Sequence, residues 1–163
     1  NELSRQAGIE MDPRTGGAMV YENMETSLPG AFACGHAVHV HDLVDFVTEE
    51  SSPAGKAAAA YLLSGGNEKE TAVVEGAHGS GLSYTVPQRI RMDDLPERLE
   101  VFFRVGRIYK DSRVVLKCGE EVIAQFKREH MAPGEMERIV LPKKLMERIS
   151  GKKCVLAAEE VAK

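Results

Sequence analysis

A chain of 163 residues can form one ordinary domain or two small units. With 43% hydrophobic and 28% charged residues, its composition is that of a chain that builds a packed core, which excludes disorder and membrane embedding. The net charge of −4, with both signs interspersed, leaves no basic stripe bearing aromatics and so excludes nucleic acid as the partner.

No run reaches the roughly 18 apolar residues of a membrane span, and no basic start leads into a hydrophobic signal region. Cys34, Cys118 and Cys154 form no CxxC pair. Their odd number and wide spacing predict buried free thiols in a reducing compartment, hence the cytoplasm. The text from Asn1 reads as mid-domain, which predicts sequence upstream.

Along the chain, residues 1 to 66 read as helical or mixed. Ala31-Phe32-Ala33-Cys34 is a short apolar run between the Pro29-Gly30 turn and Gly35, which predicts a buried strand. Leu43-Val44 and Phe46-Val47 lead into Ala54 and the helix-favouring run from Ala57 to Leu63. Pro53 is expected at a kink or first helical turn, with Glu49-Glu50-Ser51-Ser52 as a solvated helix start. Ser64-Gly65-Gly66-Asn67-Glu68-Lys69 then reads as a helix stop and linker, and a boundary is placed there between residues 1–66 and 71–163.

Beyond the linker the apolar period becomes two. Leu82, Tyr84 and Val86 alternate with polar residues, as do Leu99, Val101, Phe103 and Val105, then Val114, Leu116 and Cys118, then Val122, Ala124 and Phe126. Each set is expected to face one core. Gly119-Glu120 has the glycine-first pattern of a two-residue type II′ hairpin turn. Further strands are expected at Ala72–Val74, Glu135–Leu141 and Cys154–Glu159, with a brief helical turn over Lys143–Ile149. The predicted fold class is mixed α+β: a strand-loop-helix segment followed by an antiparallel β-sandwich of immunoglobulin-like type.

The stretch Glu22-Asn23-Met24-Glu25-Thr26-Ser27-Leu28-Pro29-Gly30-Ala31-Phe32-Ala33-Cys34-Gly35-His36 resembles the second flavin-binding motif of two-dinucleotide-domain flavoproteins, the pyridine nucleotide-disulfide oxidoreductase-like family. Gly16-Gly17-Ala18-Met19-Val20 looks like the hairpin that precedes this motif there, and Gly55-Lys56-Ala57-Ala58 like the helix that follows. The resemblance implies the C-terminal part of an FAD-dependent oxidoreductase that takes electrons from NAD(P)H, with Gly35, His36, Val44 and Asp45 on the flavin. A glycine-ended strand lets a ligand approach the backbone, and a helix N-terminus offers free N–H groups and a positive dipole end. His36 stands where the family usually has an aspartate for the ribityl hydroxyls; imidazole can donate or accept there. The glycine-rich fingerprint of the first dinucleotide fold is absent, so this piece alone is expected neither to hold FAD tightly nor to be active. More loosely, Tyr84-Thr85-Val86-Pro87-Gln88-Arg89-Ile90 and Phe102-Phe103-Arg104-Val105 resemble a C-terminal sandwich appended to some bacterial members, implying partner docking or subunit contact.

His36, His39 and His41 with Asp42 have the residue types of a metal cluster. The preferred reading is a polar loop beside the flavin with no metal, in which His39 or His41 could handle protons. If residues 38–42 are extended, His39 and His41 share a face and Asp42 points away. Cys34 reads as packing, and Phe102, Phe103 and Phe126 as core. The alternative to a flavoenzyme fragment is a non-enzymatic interaction module built on the sandwich. In either case residues 1–66 cannot bury their own faces and are expected to pack on the sandwich or a second copy, or to stay partly mobile.

Overall fold

The computed structural model describes residues 1–66, 73–75, 77–78, 81–93, 95–149 and 154–161. Its helices are α1 (Glu2–Gln6), α2 (Val44–Leu63) and α3 (Lys143–Ile149), with a 3-10 turn at Gly35–Ala37. Its strands are β1 (Val73–Glu75), β2 (Ala77–His78), β3 (Leu82–Val86), β4 (Arg89–Arg91), β5 (Arg98–Val105), β6 (Tyr109–Cys118), β7 (Glu121–Met131), β8 (Glu137–Pro142) and β9 (Cys154–Glu160). The chain is therefore mixed α+β.

Strands β3, β5 and β8 form one antiparallel sheet in that order. A second has the order β2-β9-β6-β7, antiparallel except for the two-residue parallel pairing of β2 with β9. β1 pairs with β4. The alternation that predicts strands also builds the core: Leu99, Val101, Phe103 and Val105 of β5 meet Ile139 and Leu141 of β8, and Val114, Leu116, Leu156 and Ala158 of the second sheet, in one cluster. Met146 and Ile149 of α3 close it. Each such large side chain contributes roughly 1.5–3 kcal/mol by leaving water.

At the β6–β7 turn, Gly119 has φ +61° and Glu120 does not share the positive φ, as a type II′ turn requires. Two register shifts change which faces the alternation serves. One, between Leu116 and Lys117, pairs Leu116 with Ala124 and Lys117 with Val122, so Ile123 enters the core and Val122 is exposed, not inward as expected. The other, between Leu82 and Tyr84, leaves Leu82 in the main core and turns Tyr84 and Val86 to the opposite face.

That opposite face receives the first 66 residues. Val20, Met24, Val38 and Ala54 pack with Tyr84 and Val86 in a second core. Buried Gln88 ties the two parts, accepting from the Val20 N–H at 3.0 Å and donating to Asp12 at 2.9 Å. Arg91 bonds Glu22 at 3.0 Å and Glu25 at 2.6 Å. Of the three arrangements expected for residues 1–66, packing on the sheets is the one observed.

Three expectations are corrected. Ala31–Cys34 is not a buried strand: it is half-buried and makes one isolated bridge, Phe32 with Glu25, because no neighbouring strand lies beside it among the described residues. Pro53 and the Glu49–Ser52 run lie inside α2, not at its start. Pro53 is exposed, so the carbonyl of Glu49, four residues back, can bond water in place of the missing N–H. Cys118 and Cys154 are cross-strand partners on β6 and β9 with Cα atoms 4.1 Å apart, and they form a disulfide. Spacing in sequence does not reveal such adjacency, and the free-thiol argument for a reducing compartment falls with it. The predicted strand at Ala72–Val74 appears as Val73–Glu75; Ala72 and the linker residues 67–69 lie outside the described residues.

Candidate functional site

The loop from Gly35 to Leu43 and the first two turns of α2 bring together most of the residues singled out in the sequence. The 3-10 turn starts at Gly35 with φ +61°, and a Cβ there would press on Val47 of α2 at 3.1 Å, so a side chain is disfavoured twice over. After it, residues 38–41 run to Leu43, whose extended backbone opens α2 without any side-chain cap. The first N–H groups of α2 are therefore free of a capping side chain. The apolar side chains around this end are open to water: Val40 is 61% exposed, Leu43 56% and Val44 76%. His36 and Asp45 are exposed beside them, whereas Gly35 is buried.

On the inner side of the same loop lies a cluster the sequence reading only half anticipates. His39 and His41 share a face, with ring centroids 4.2 Å apart. Asp42 points away from them, although residues 38–42 are not extended, Val38 being helical with φ −104° and ψ −55°: Asp42 pairs with Arg104 of β5 and accepts a hydrogen bond from the Met136 N–H at 2.6 Å. Arg104 also donates to the Val40 carbonyl at 3.2 Å and to the Tyr84 hydroxyl at 3.2 Å, pinning the loop to the sheet.

The carboxylate that joins the two histidines is Glu50 of α2. Its Oε2 lies 2.7 Å from His39 Nε2 and 3.0 Å from His41 Nε2, and its Oε1 accepts the Gly35 N–H at 2.5 Å. Relative exposures of 1% for His39, 6% for His41 and 5% for Glu50 show that the group is sealed. Three N–H donors thus satisfy a buried carboxylate, as burial requires. This arrangement has each imidazole protonated at Nε2, and both Nδ1 atoms lack any protein partner. Tyr84, Phe102 and Phe46 wall the rings, with Phe102 5.3 Å from His41 and 5.8 Å from His39.

The electrostatics follow from this enclosure. Burial works against the charge on Glu50, yet the hydrogen bond from His39, the proximity of both imidazoles and the Gly35 N–H together hold it below its ordinary value. Burial, then the neighbouring His39, lowers His41, and Glu50 only partly offsets them. Burial, and secondarily Glu50, raises the thiol of Cys34, which leaves it a poor nucleophile. For Asp42, burial opposes the charge but the bonds from Arg104 and Met136 lower it overall.

Glu50 also lines a cavity of about 710 Å³ between α2 and the β3–β5 sheet. Met24, Val86, Leu99 and Phe102 give it an apolar wall, and Glu49, Lys56, Arg98 and Glu100 line it as well. Nothing in the sequence marks Glu50 as different from Glu49. Comparison of the chain with protein-family models, with curated proteins and with solved structures finds no match. No helix among the described residues is long and apolar enough to cross a membrane.

Proposed function

We propose that the chain is the C-terminal part of an FAD-dependent NAD(P)H oxidoreductase. In this reading residues 1–66 complete the flavin domain, and the two sheets form an accessory β-sandwich of immunoglobulin-like type. The observation that carries it is the open end of α2: an uncapped helix N-terminus rimmed by exposed Val40, Leu43 and Val44, adjoining the Gly35–Ala37 turn. Three exposed apolar side chains close together beside free helix N–H groups have the mixed character of a ligand-binding surface. The residues fit a flavin. The free N–H groups of the first turn can bond the pyrimidine carbonyls, and the dipole can stabilise the negative charge that reduction places there. His36 can bond a ribityl hydroxyl and Asp45 the adjoining polar atoms, while Val44 offers apolar contact. When bound, the flavin supplies the hydride chemistry between nicotinamide and a final acceptor. The chain's own task is to seat and polarise it. In this reading NAD(P)H binds outside residues 1–163.

The test is the flavin content of the complete reading frame that encodes this segment, purified beside residues 1–163 alone. About one FAD per chain in the former and none retained by the latter is expected, and Gly35→Ala should weaken retention by displacing the turn. A complete protein that binds no flavin would refute the reading.

A further inference from the structure

We propose that His39, His41 and Glu50 form a binding site for one divalent first-row transition ion of the zinc type, independent of any flavin. Two imidazole nitrogens and one carboxylate oxygen from the loop and from α2 converge within 4.8 Å of one another, all three residues buried. Two histidines and a carboxylate are a recurrent protein ligand set for Zn²⁺ and Fe²⁺, and nitrogen donors disfavour Mg²⁺ and Ca²⁺. Bond lengths of about 2.0–2.2 Å in a tetrahedron put ligand atoms roughly 3.3 Å apart. The two carboxylate–imidazole separations of 2.7 and 3.0 Å need to open by only a few tenths of an ångström, while the two imidazole nitrogens, within 4.8 Å of each other, close toward the same spacing by a turn of the rings about their side-chain bonds.

Charge favours the same conclusion. No lysine or arginine among the described residues pairs with Glu50; its partners are the two imidazoles and one backbone N–H. A divalent ion would balance that buried carboxylate inside an aromatic wall, where its field is least screened. On binding, each Nε2 lone pair takes the metal and each ring proton moves to Nδ1, so the imidazoles stay neutral and no net proton is lost. Those Nδ1 atoms have no protein partner. The missing support lowers affinity by about 10- to 100-fold relative to sites whose histidines are anchored. Of the three ligands only Glu50 lines the neighbouring cavity, so an ion entering from there meets the carboxylate first.

The test is titration of the chelator-treated chain with Co²⁺, read by its ligand-field absorption, followed by displacement with Zn²⁺. One Co²⁺ per chain is expected, weakened at least tenfold by Glu50→Gln and by His41→Asn and unchanged by His36→Ala and His130→Ala. Absence of a Co²⁺ spectrum in the folded wild type overturns the site, as does binding that survives Glu50→Gln and His41→Asn or disappears with the exposed His36. If Glu50→Gln and His41→Asn do not fold, the thermal midpoint of the wild type decides: it must rise with stoichiometric Zn²⁺, and the rise must persist in His36→Ala.

Discussion

At Gly17 the chain turns so closely under the loop that an added Cβ would overlap the backbone carbonyl of Val38, an atom that cannot swing aside as a side chain does. Gly17→Ala should therefore cost about 1–3 kcal/mol, as overpacking does, read as a lower urea midpoint at unchanged slope. An unchanged midpoint would mean that the turn is not seated on Val38. Glu159 offers a second test of single-residue physics. Lys117 bonds it first and foremost, Arg113 adds a bond at 3.1 Å, and together they hold its carboxyl below the ordinary glutamate range despite slight burial. A folded pKa below the unfolded one means the unfolded chain binds more protons in acid. The stabilisation is then present above pH of about 4.3 and fades as pH falls through the folded value. An NMR titration should place the Glu159 midpoint below that of a model peptide, and Lys117→Met should bring it back upward. A midpoint that ignores Lys117 would show the pair to be separated by water in solution.

At the scale of elements, α2 carries two residues that oppose its own helix. Gly55 sits on an exposed face with open space where a Cβ would go, and Pro53 breaks one backbone bond at mid-helix. Gly55→Ala should stabilise by about 1 kcal/mol, and Pro53→Ala by up to about 3 kcal/mol, both measured by chemical unfolding. No gain from either would mean that α2 is frayed there. Period-two text made β5 legible, since Leu99, Val101, Phe103 and Val105 all reach the core, and Gly119 marked its hairpin by the conformation only glycine adopts cheaply. The bulges in β3 and β7 were not legible, because one extra residue reverses the facing of the residues on one side of it relative to those on the other, and the apolar spacing does not mark where it falls. The start of α2 was hidden for a similar reason: Leu43 occupies the cap position and offers no capping oxygen. Likewise the loop histidines stood out by type, but Glu50 reads as one more helix-surface acid until the fold turns it inward, nine and eleven residues from its partners.

At the scale of the molecule, cohesion between the first 66 residues and the sheets depends on polar groups held away from water as well as on the small second core. Arg91 is central. Its guanidinium reaches Glu22 and Glu25, whose side chains are only 4% and 10% exposed, and its own N–H donates to Glu22 at 2.8 Å. Burial disfavours the arginine's charge, yet Glu25 and Glu22 raise its pKa overall, so the guanidinium itself stays charged. Arg91→Met keeps the bulk of the side chain but strands two enclosed carboxylates without a cation. Removing one partner of such a group costs about 3–5 kcal/mol, most of it the penalty of the charges left behind. If that is the origin of the loss, then Glu22→Gln and Glu25→Gln added to Arg91→Met should restore much of it, since neutral amides cost less to enclose. The main core contains neither Arg91 nor its partners, so the damage should fall first on residues 1–66. Limited proteolysis of Arg91→Met should yield early cuts within residues 1–66 while the β signal in far-ultraviolet circular dichroism holds, and the triple variant should resist. A single variant as resistant as the wild type would show that the second core alone holds the two parts together, and that the ion pairs lie on a surface already open to solvent.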